Sequence, residues 1–194
     1  MLFVLNTVII ETNQNLENAM VVGKPLFTKE QIQERIKELA EKISHDYADK
    51  DLLAVGILKG GFMFFSDIVR AIKVPLTIDF ILASSYIKNN TTGEVKVHYD
   101  IKEDVSDKDV LLIEDIIDSG ITLNHIRERV LARSPRNLKI CVFLDKRERR
   151  IVDVPLDYIG FEIPNEFVVG YGLDYDDKFR NLPYIAIFKK SVRI

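Results

Sequence analysis

Short apolar runs separated by helical patterns constrain this chain more than any other feature. Leu52-Leu53-Ala54-Val55-Gly56-Ile57-Leu58 is continuously apolar, the pattern of a strand covered on both faces. Leu76–Ala83, Val110–Ile113 and Lys139–Leu144 read as further strands. Between them lie apolar residues at helical spacing. Thr28-Lys29-Glu30-Gln31 is a capping box, and Ile32, Ile36, Leu39, Ala40, Ile43 and Tyr47 follow it. A second helix follows Lys59-Gly60-Gly61, with Phe62, Phe65, Ile68, Val69 and Ile72 on one face. A third starts near Thr122 and presents Leu123, Ile126, Val130 and Leu131. Strands alternating with helices predict an α/β fold with a mainly parallel sheet. Ligands bind such sheets beyond the carboxyl ends of the strands, which brings residues 59–61 and 114–122 to one rim.

The second of those loops carries the chemistry. Val110-Leu111-Leu112-Ile113 runs into Glu114-Asp115-Ile116-Ile117-Asp118-Ser119-Gly120-Ile121-Thr122. Backbone N–H groups at a helix start are unpaired and carry about half a positive charge between them. Asp118, Ser119, Gly120 and Thr122 can turn those donors and two hydroxyls onto one phosphate, with Gly120 allowing close backbone approach. Glu114 and Asp115 offer hard oxygens for a sugar diol or a hydrated Mg2+. Taken singly, Asp118 could be a plain helix cap and the other two a solvated strand end. Three acids in this order at this junction favour the binding site.

Composition narrows the class. The 194 residues suit one domain, and 47% hydrophobic with 29% charged content is that of a globular chain. A formal net charge of −3 gives no general attraction to nucleic acid or anionic membrane, so any anion site is local. The single Cys141 lies in an apolar run, where a buried thiol in a reducing compartment is expected. Met1–Ile10 is apolar but lacks the basic residues and cleavage site of a secretion signal, and no stretch reaches transmembrane length. Cytoplasmic location is the expectation. There is no P-loop or dinucleotide fingerprint, and His45, His98 and His125 have no zinc spacing.

Residues 114–122 resemble the phosphoribosyl-pyrophosphate (PRPP) motif of the type I phosphoribosyltransferases. The resemblance extends from about Leu53 to Phe188 through four motifs in the family order. Leu58-Lys59-Gly60-Gly61 resembles the pyrophosphate loop, which implies pyrophosphate contacts from Lys59, Gly60 and Gly61 and a cis peptide at Leu58–Lys59. Lys146, in Leu144-Asp145-Lys146, resembles the purine-specificity lysine of the hypoxanthine/guanine members. An ammonium only donates hydrogen bonds, so it suits the O6 acceptor of a 6-oxopurine and not the amino group of adenine. In Phe161–Tyr175, Phe167 matches the residue stacking on the purine, Val168 the backbone facing the base edge, and Asp174 a metal contact; Arg180 matches a pyrophosphate-binding arginine. Ser85-Tyr86 matches the start of a mobile catalytic loop. Ile121 stands where some relatives carry Lys, so the phosphate site leans on backbone donors, Ser119 and Thr122.

With Asn181-Leu182-Pro183-Tyr184-Ile185, the pattern is most similar to the bacterial hypoxanthine phosphoribosyltransferases. The resemblance implies one phosphoribosyltransferase domain. Its core would span about 28–145, with a small hood lobe from about 1–20 and 146–194 and a mobile loop at 84–105. It implies Mg2+ held by Glu114, Asp115 and Asp174, and Asp118 as the catalytic group near purine N7. PRPP and a 6-oxopurine would be the substrates, and the assembly a homodimer or homotetramer. The alternatives are a PRPP- or nucleotide-binding regulator of the same fold, and a xanthine- or guanine-preferring relative.

Overall fold

The computed structural model describes residues 8–10, 20–86 and 94–190. In chain order the elements are β1 (Val8–Ile10), β2 (Met20–Phe27), α1 (Lys29–Asp46), β3 (Leu52–Leu58) and α2 (Phe62–Ala71). Then come β4 (Leu76–Tyr86), β5 (Glu94–Tyr99), β6 (Asp109–Ile117), α3 (Ile121–Leu131), β7 (Asn137–Asp145), β8 (Tyr158–Glu162), β9 (Val168–Val169) and β10 (Ile185–Lys190). They form two compact units, Glu34–Asn165 and the residues on either side of it.

The larger unit is a six-stranded sheet in the order β5-β4-β3-β6-β7-β8. Its strands are parallel except for β5, which returns antiparallel on β4. Leu53, Val55, Val110, Leu112, Ile140 and Val142 form one core with Leu123, Ile126 and Val130 of α3. Alternate strand residues point the other way. There the Phe64 ring of α2 packs 4.9 Å from Phe143, and Phe65 lies where a Cβ on Gly56 would be, 2.8 Å from its position. Helices on both faces explain why the central strands lack polar alternation.

The capping box is formed: Gln31 Oε1 accepts from the Thr28 N–H at 2.9 Å, and the Gln31 N–H donates to Thr28 Oγ1 at 3.4 Å. All six apolar residues expected on the inner face of α1 are buried. For α2 the inner face is Phe64, Phe65 and Ile68 while Phe62 is exposed, because the ring of Phe64 reaches Phe143. Leu131 likewise lies outside the buried face of α3.

One expected boundary moves. Tyr158–Phe161, read from sequence with the small lobe, is an edge strand parallel to β7. Arg35 guards that edge by donating to the carbonyls of Ile159 and Gly160, both at 2.8 Å. Within the segment 84–105, expected as a mobile loop, the described residues carry defined backbone pairing. Residues 84–86 pair with 94–96 in a hairpin, which Ser84 Oγ and His98 Nε2 tie at 2.8 Å. Beyond it, Asp79 accepts the N–H groups of Lys102 and Glu103, and Arg133 donates to the carbonyls of Ile101 and Glu103. Residues 87–93 of that loop, and residues 1–7 and 11–19 of the expected hood lobe, lie outside the described residues.

The smaller unit is a four-stranded antiparallel sheet, β1-β2-β10-β9. Val169, Phe179, Ala186 and Phe188 form its core.

Candidate active site

Strand β6 does not stop at Ile113. It continues through the acids to Ile117, so Glu114 and Asp115 are strand residues, each about 8% exposed, and not a solvated strand end. Glu114 Oε1 accepts from the Asp115 N–H at 3.0 Å, and Asp115 Oδ1 accepts from the Ile116 N–H at 2.7 Å. Burial, with the Asp115 carboxylate next to it, pushes Glu114 well above the usual carboxylate range.

The loop after β3 closes on this pair. Leu58–Lys59 is a cis peptide, as the resemblance implied. A Cβ on Gly60 would lie 1.6 Å from Asp115 Oδ2, so this glycine is what lets the loop pass against the carboxylate. Helix α2 starts directly afterwards with no side-chain cap, leaving its first N–H groups to other acceptors.

The loop after β6 is built the same way. Gly120, at φ +81°, precedes α3, and no side chain caps that helix, which disposes of Asp118 as an ordinary cap. Ser119 Oγ accepts from the Ile121 N–H at 3.4 Å, and Thr122 sits in the first helical turn. Residues after β7 brace this loop from behind. The Lys146 N–H donates to Ile117 O at 3.0 Å, and those of Ile151 and Val152 donate to Ser119 O at 2.9 and 3.0 Å. A Cβ on Gly120 would come within 2.4 Å of Val152 O.

Lys146 is 5% exposed, and its Nζ stands 3.9 Å from Asp118 Oδ2. Arg149 Nε lies 3.1 Å from Asp118 Oδ1, a contact that residue type and spacing alone do not disclose. Beneath it Arg150 and the buried Asp145 form a two-point pair at 3.1 and 2.7 Å.

In the smaller unit Phe167 is half exposed, its ring edge-on to Tyr175 and Phe188 at 5.9 Å. Val168 is buried and pairs with Ile187. Asp174 and Arg180 meet: Arg180 Nη2 is 2.7 Å from Asp174 Oδ1, and Nη1 donates to Gly172 O at 2.8 Å. Of the expected loop residues, Ser85 is exposed on β4 and Tyr86 ends that strand.

Among the described residues no three His, Cys, Asp or Glu side chains converge as a metal site. Two adjacent buried carboxylates still fit Mg2+, which keeps several waters and takes further oxygens from a substrate phosphate.

A model of the phosphoribosyl transferase domain matches residues 25–176, most of the chain. The chain belongs to the phosphoribosyltransferase family. It is 50% identical over 159 residues to the hypoxanthine phosphoribosyltransferase of Escherichia coli K12, covering 80% of this chain and 89% of that one. It is 43% identical over 172 residues to the hypoxanthine-guanine phosphoribosyltransferase of Bacillus subtilis, covering 88% and 96%. A crystal structure of a Staphylococcus aureus hypoxanthine phosphoribosyltransferase superposes with a TM-score of 0.84 at 46% identity, covering 87% and 92%. The fold is that of a type I phosphoribosyltransferase, and the chain is an enzyme of that family. Among the described residues no helix is long and apolar enough to cross a membrane.

Proposed function

We propose that this phosphoribosyltransferase serves purine salvage, transferring the 5-phosphoribosyl group of PRPP to N9 of hypoxanthine or guanine. The N9–C1′ bond forms as the bond from C1′ to pyrophosphate breaks, giving IMP or GMP. One observation carries the choice of base: a buried ammonium, Lys146, beside Asp118, the carboxylate that opens the loop after β6. It can only donate, so it favours O6 of a 6-oxopurine and opposes the amino group of adenine. The names of the relatives at 43–50% identity support the same substrate class.

In this reading the 5′-phosphate takes the donors of residues 118–122. Glu114 and Asp115 address the ribose hydroxyls. Lys59, Gly60, Gly61 and Arg180 serve the departing pyrophosphate. Asp118 takes or shares the purine N7 proton as N9 attacks. Phe167 stacks on the purine, and the Val168 backbone reads its edge. Mg2+, held through Glu114, Asp115 and Asp174, supplies charge neutralisation to the pyrophosphate when bound. Closure of the loop that begins at Ser85-Tyr86 excludes water from the reacting bond. The reading includes a cytoplasmic site of action and a homodimer or homotetramer, which light scattering in solution tests.

The deciding experiment offers hypoxanthine, guanine, xanthine and adenine separately, with PRPP and Mg2+, and follows the purine spectrum. Turnover of the first two, lost with EDTA and with Lys146→Ala, is the expected result. Asp118→Asn should lower kcat by about 10² or more while PRPP affinity stays within about threefold. No turnover of any base would overturn the assignment, and equal losses in kcat and PRPP affinity would make Asp118 structural.

A further inference from the structure

We infer that Arg149 is a positioning residue for Asp118, holding that carboxylate in place through its ion pair; the inference rests on the transfer reaction proposed above. The run Lys146-Arg147-Glu148-Arg149-Arg150 divides its charges among distinct partners. Arg147 stands 4.0 Å from Glu162, with both side chains exposed. Arg150 closes on the buried Asp145 at 2.7 Å. Arg149 alone of the three arginines is directed at Asp118, its Nε 3.1 Å from Oδ1, while Lys146 Nζ is 3.9 Å from Oδ2.

The backbone fixes this reach. The segment is tied to the Asp118 loop at both ends, by Lys146 N–H to Ile117 O and by the N–H groups of Ile151 and Val152 to Ser119 O. Between those ties a short 3-10 turn, Arg147–Arg149, is closed by the Arg149 N–H on Lys146 O at 3.0 Å. The guanidinium is therefore delivered at a set offset from the carboxylate and needs no long loop to find it.

Asp118 Oδ1 is buried and has no hydrogen-bond partner among the described residues, although Arg149 Nε is within ion-pair distance. The contact is an ion pair, so Arg149 holds this oxygen by charge. An N–H donor such as purine N7–H then meets, at the other oxygen, a carboxylate whose Oδ1 side is already held. When Lys146 turns to the purine O6, Arg149 is the cation that stays with Asp118. Arg149 acts through Asp118 and touches no reacting atom, so its loss should appear in kcat and not in PRPP binding.

The test is a double-mutant cycle under the assay above. Arg149→Ala should lower kcat about 10- to 50-fold, with the KM for PRPP within about threefold. Arg149→Lys, which keeps the charge, should recover most of the loss. In an Asp118→Asn background the same Arg149→Ala change should cost less than about twofold, because the group it positions is gone. The side chain is half exposed, so the melting temperature should hold, and Arg149→Gln provides a second variant if Ala does not fold. Equal losses in both backgrounds, a rise in KM with kcat unchanged, or no effect would overturn the inference while leaving the activity standing. An inactive wild-type protein would instead overturn the function, and this inference with it.

Discussion

Gly60 shows how little space separates the loop after β3 from the carboxylate it guards. Asp115 Oδ1 is engaged by the Ile116 N–H, and the side chain is about 8% exposed, so Oδ2 cannot retreat without giving up that hydrogen bond. A methyl at residue 60, 1.6 Å from Oδ2, must displace it. Gly60→Ala should therefore cost about 1–3 kcal/mol of stability by overpacking, and weaken PRPP binding at least about tenfold. Urea unfolding and equilibrium PRPP titration measure the two effects separately; unchanged PRPP affinity in a folded variant would show that Asp115 does not address the ribose. At this scale the sequence was informative where a residue type has few uses. Acids followed by Ser-Gly-x-Thr, and a lysine directly after an apolar strand, bring Asp118 and Lys146 forward as candidates, and the structure sets the two 3.9 Å apart. Arg149 was hidden because one arginine in a mixed charge run looks like its neighbours, and only the 3-10 turn decides which of them meets Asp118.

The C-terminal end of α1 is secured by a polar cluster whose strength depends on pH. Asp46 Oδ2 accepts from Lys139 Nζ at 2.9 Å and from the Tyr158 hydroxyl at 2.7 Å, joining α1 to β7 and β8. The hydrogen bonds from Lys139 and Tyr158 hold the Asp46 carboxyl well below the usual aspartate range. Burial and the Asp46 acceptor raise the Tyr158 hydroxyl, so it remains the donor. A depressed carboxylate stabilises the fold above its unfolded-state pKa, near 4, and loses that contribution as pH falls through its folded value. Asp46→Asn should cost about 1 kcal/mol at pH 7, and the gap from wild type should narrow as the pH drops below about 4. Denaturant midpoints at pH 7 and pH 3 decide it, a pH-independent gap being the contrary outcome. Elements were legible where periodicity was strong: α1 and the central strands follow from their patterns. Strand β2 was missed because Gly23 and Pro25 interrupt it, and residues 84–86 because polar side chains suit an edge hairpin as well as a loop. Strand β8 was assigned to the wrong unit, since five residues of half-buried pattern do not disclose which sheet they join.

Across the whole molecule, the sequence carries a net charge of −3, yet the proposed substrate is a polyanion. In that reading, binding draws on concentrated local features of the larger unit: two helix starts without side-chain caps, Lys59, and the carboxylates suited to Mg2+. Glu114 and Asp115 make PRPP without metal a poor ligand, because like charges meet in a buried place. PRPP and Mg2+ should consequently stabilise the protein together far more than either alone. Saturation at about 100 times Kd corresponds to about 2.7 kcal/mol, which for a chain of this size raises Tm by roughly 5–10 °C. Adding EDTA should reduce the shift to less than about 2 °C, and Glu114→Gln combined with Asp115→Asn should make the remaining shift insensitive to metal. Differential scanning calorimetry reads all of these on the intact chain. A full PRPP shift in EDTA would mean that the buried acids contact the ribose directly and that Mg2+ is not needed to bring the two together.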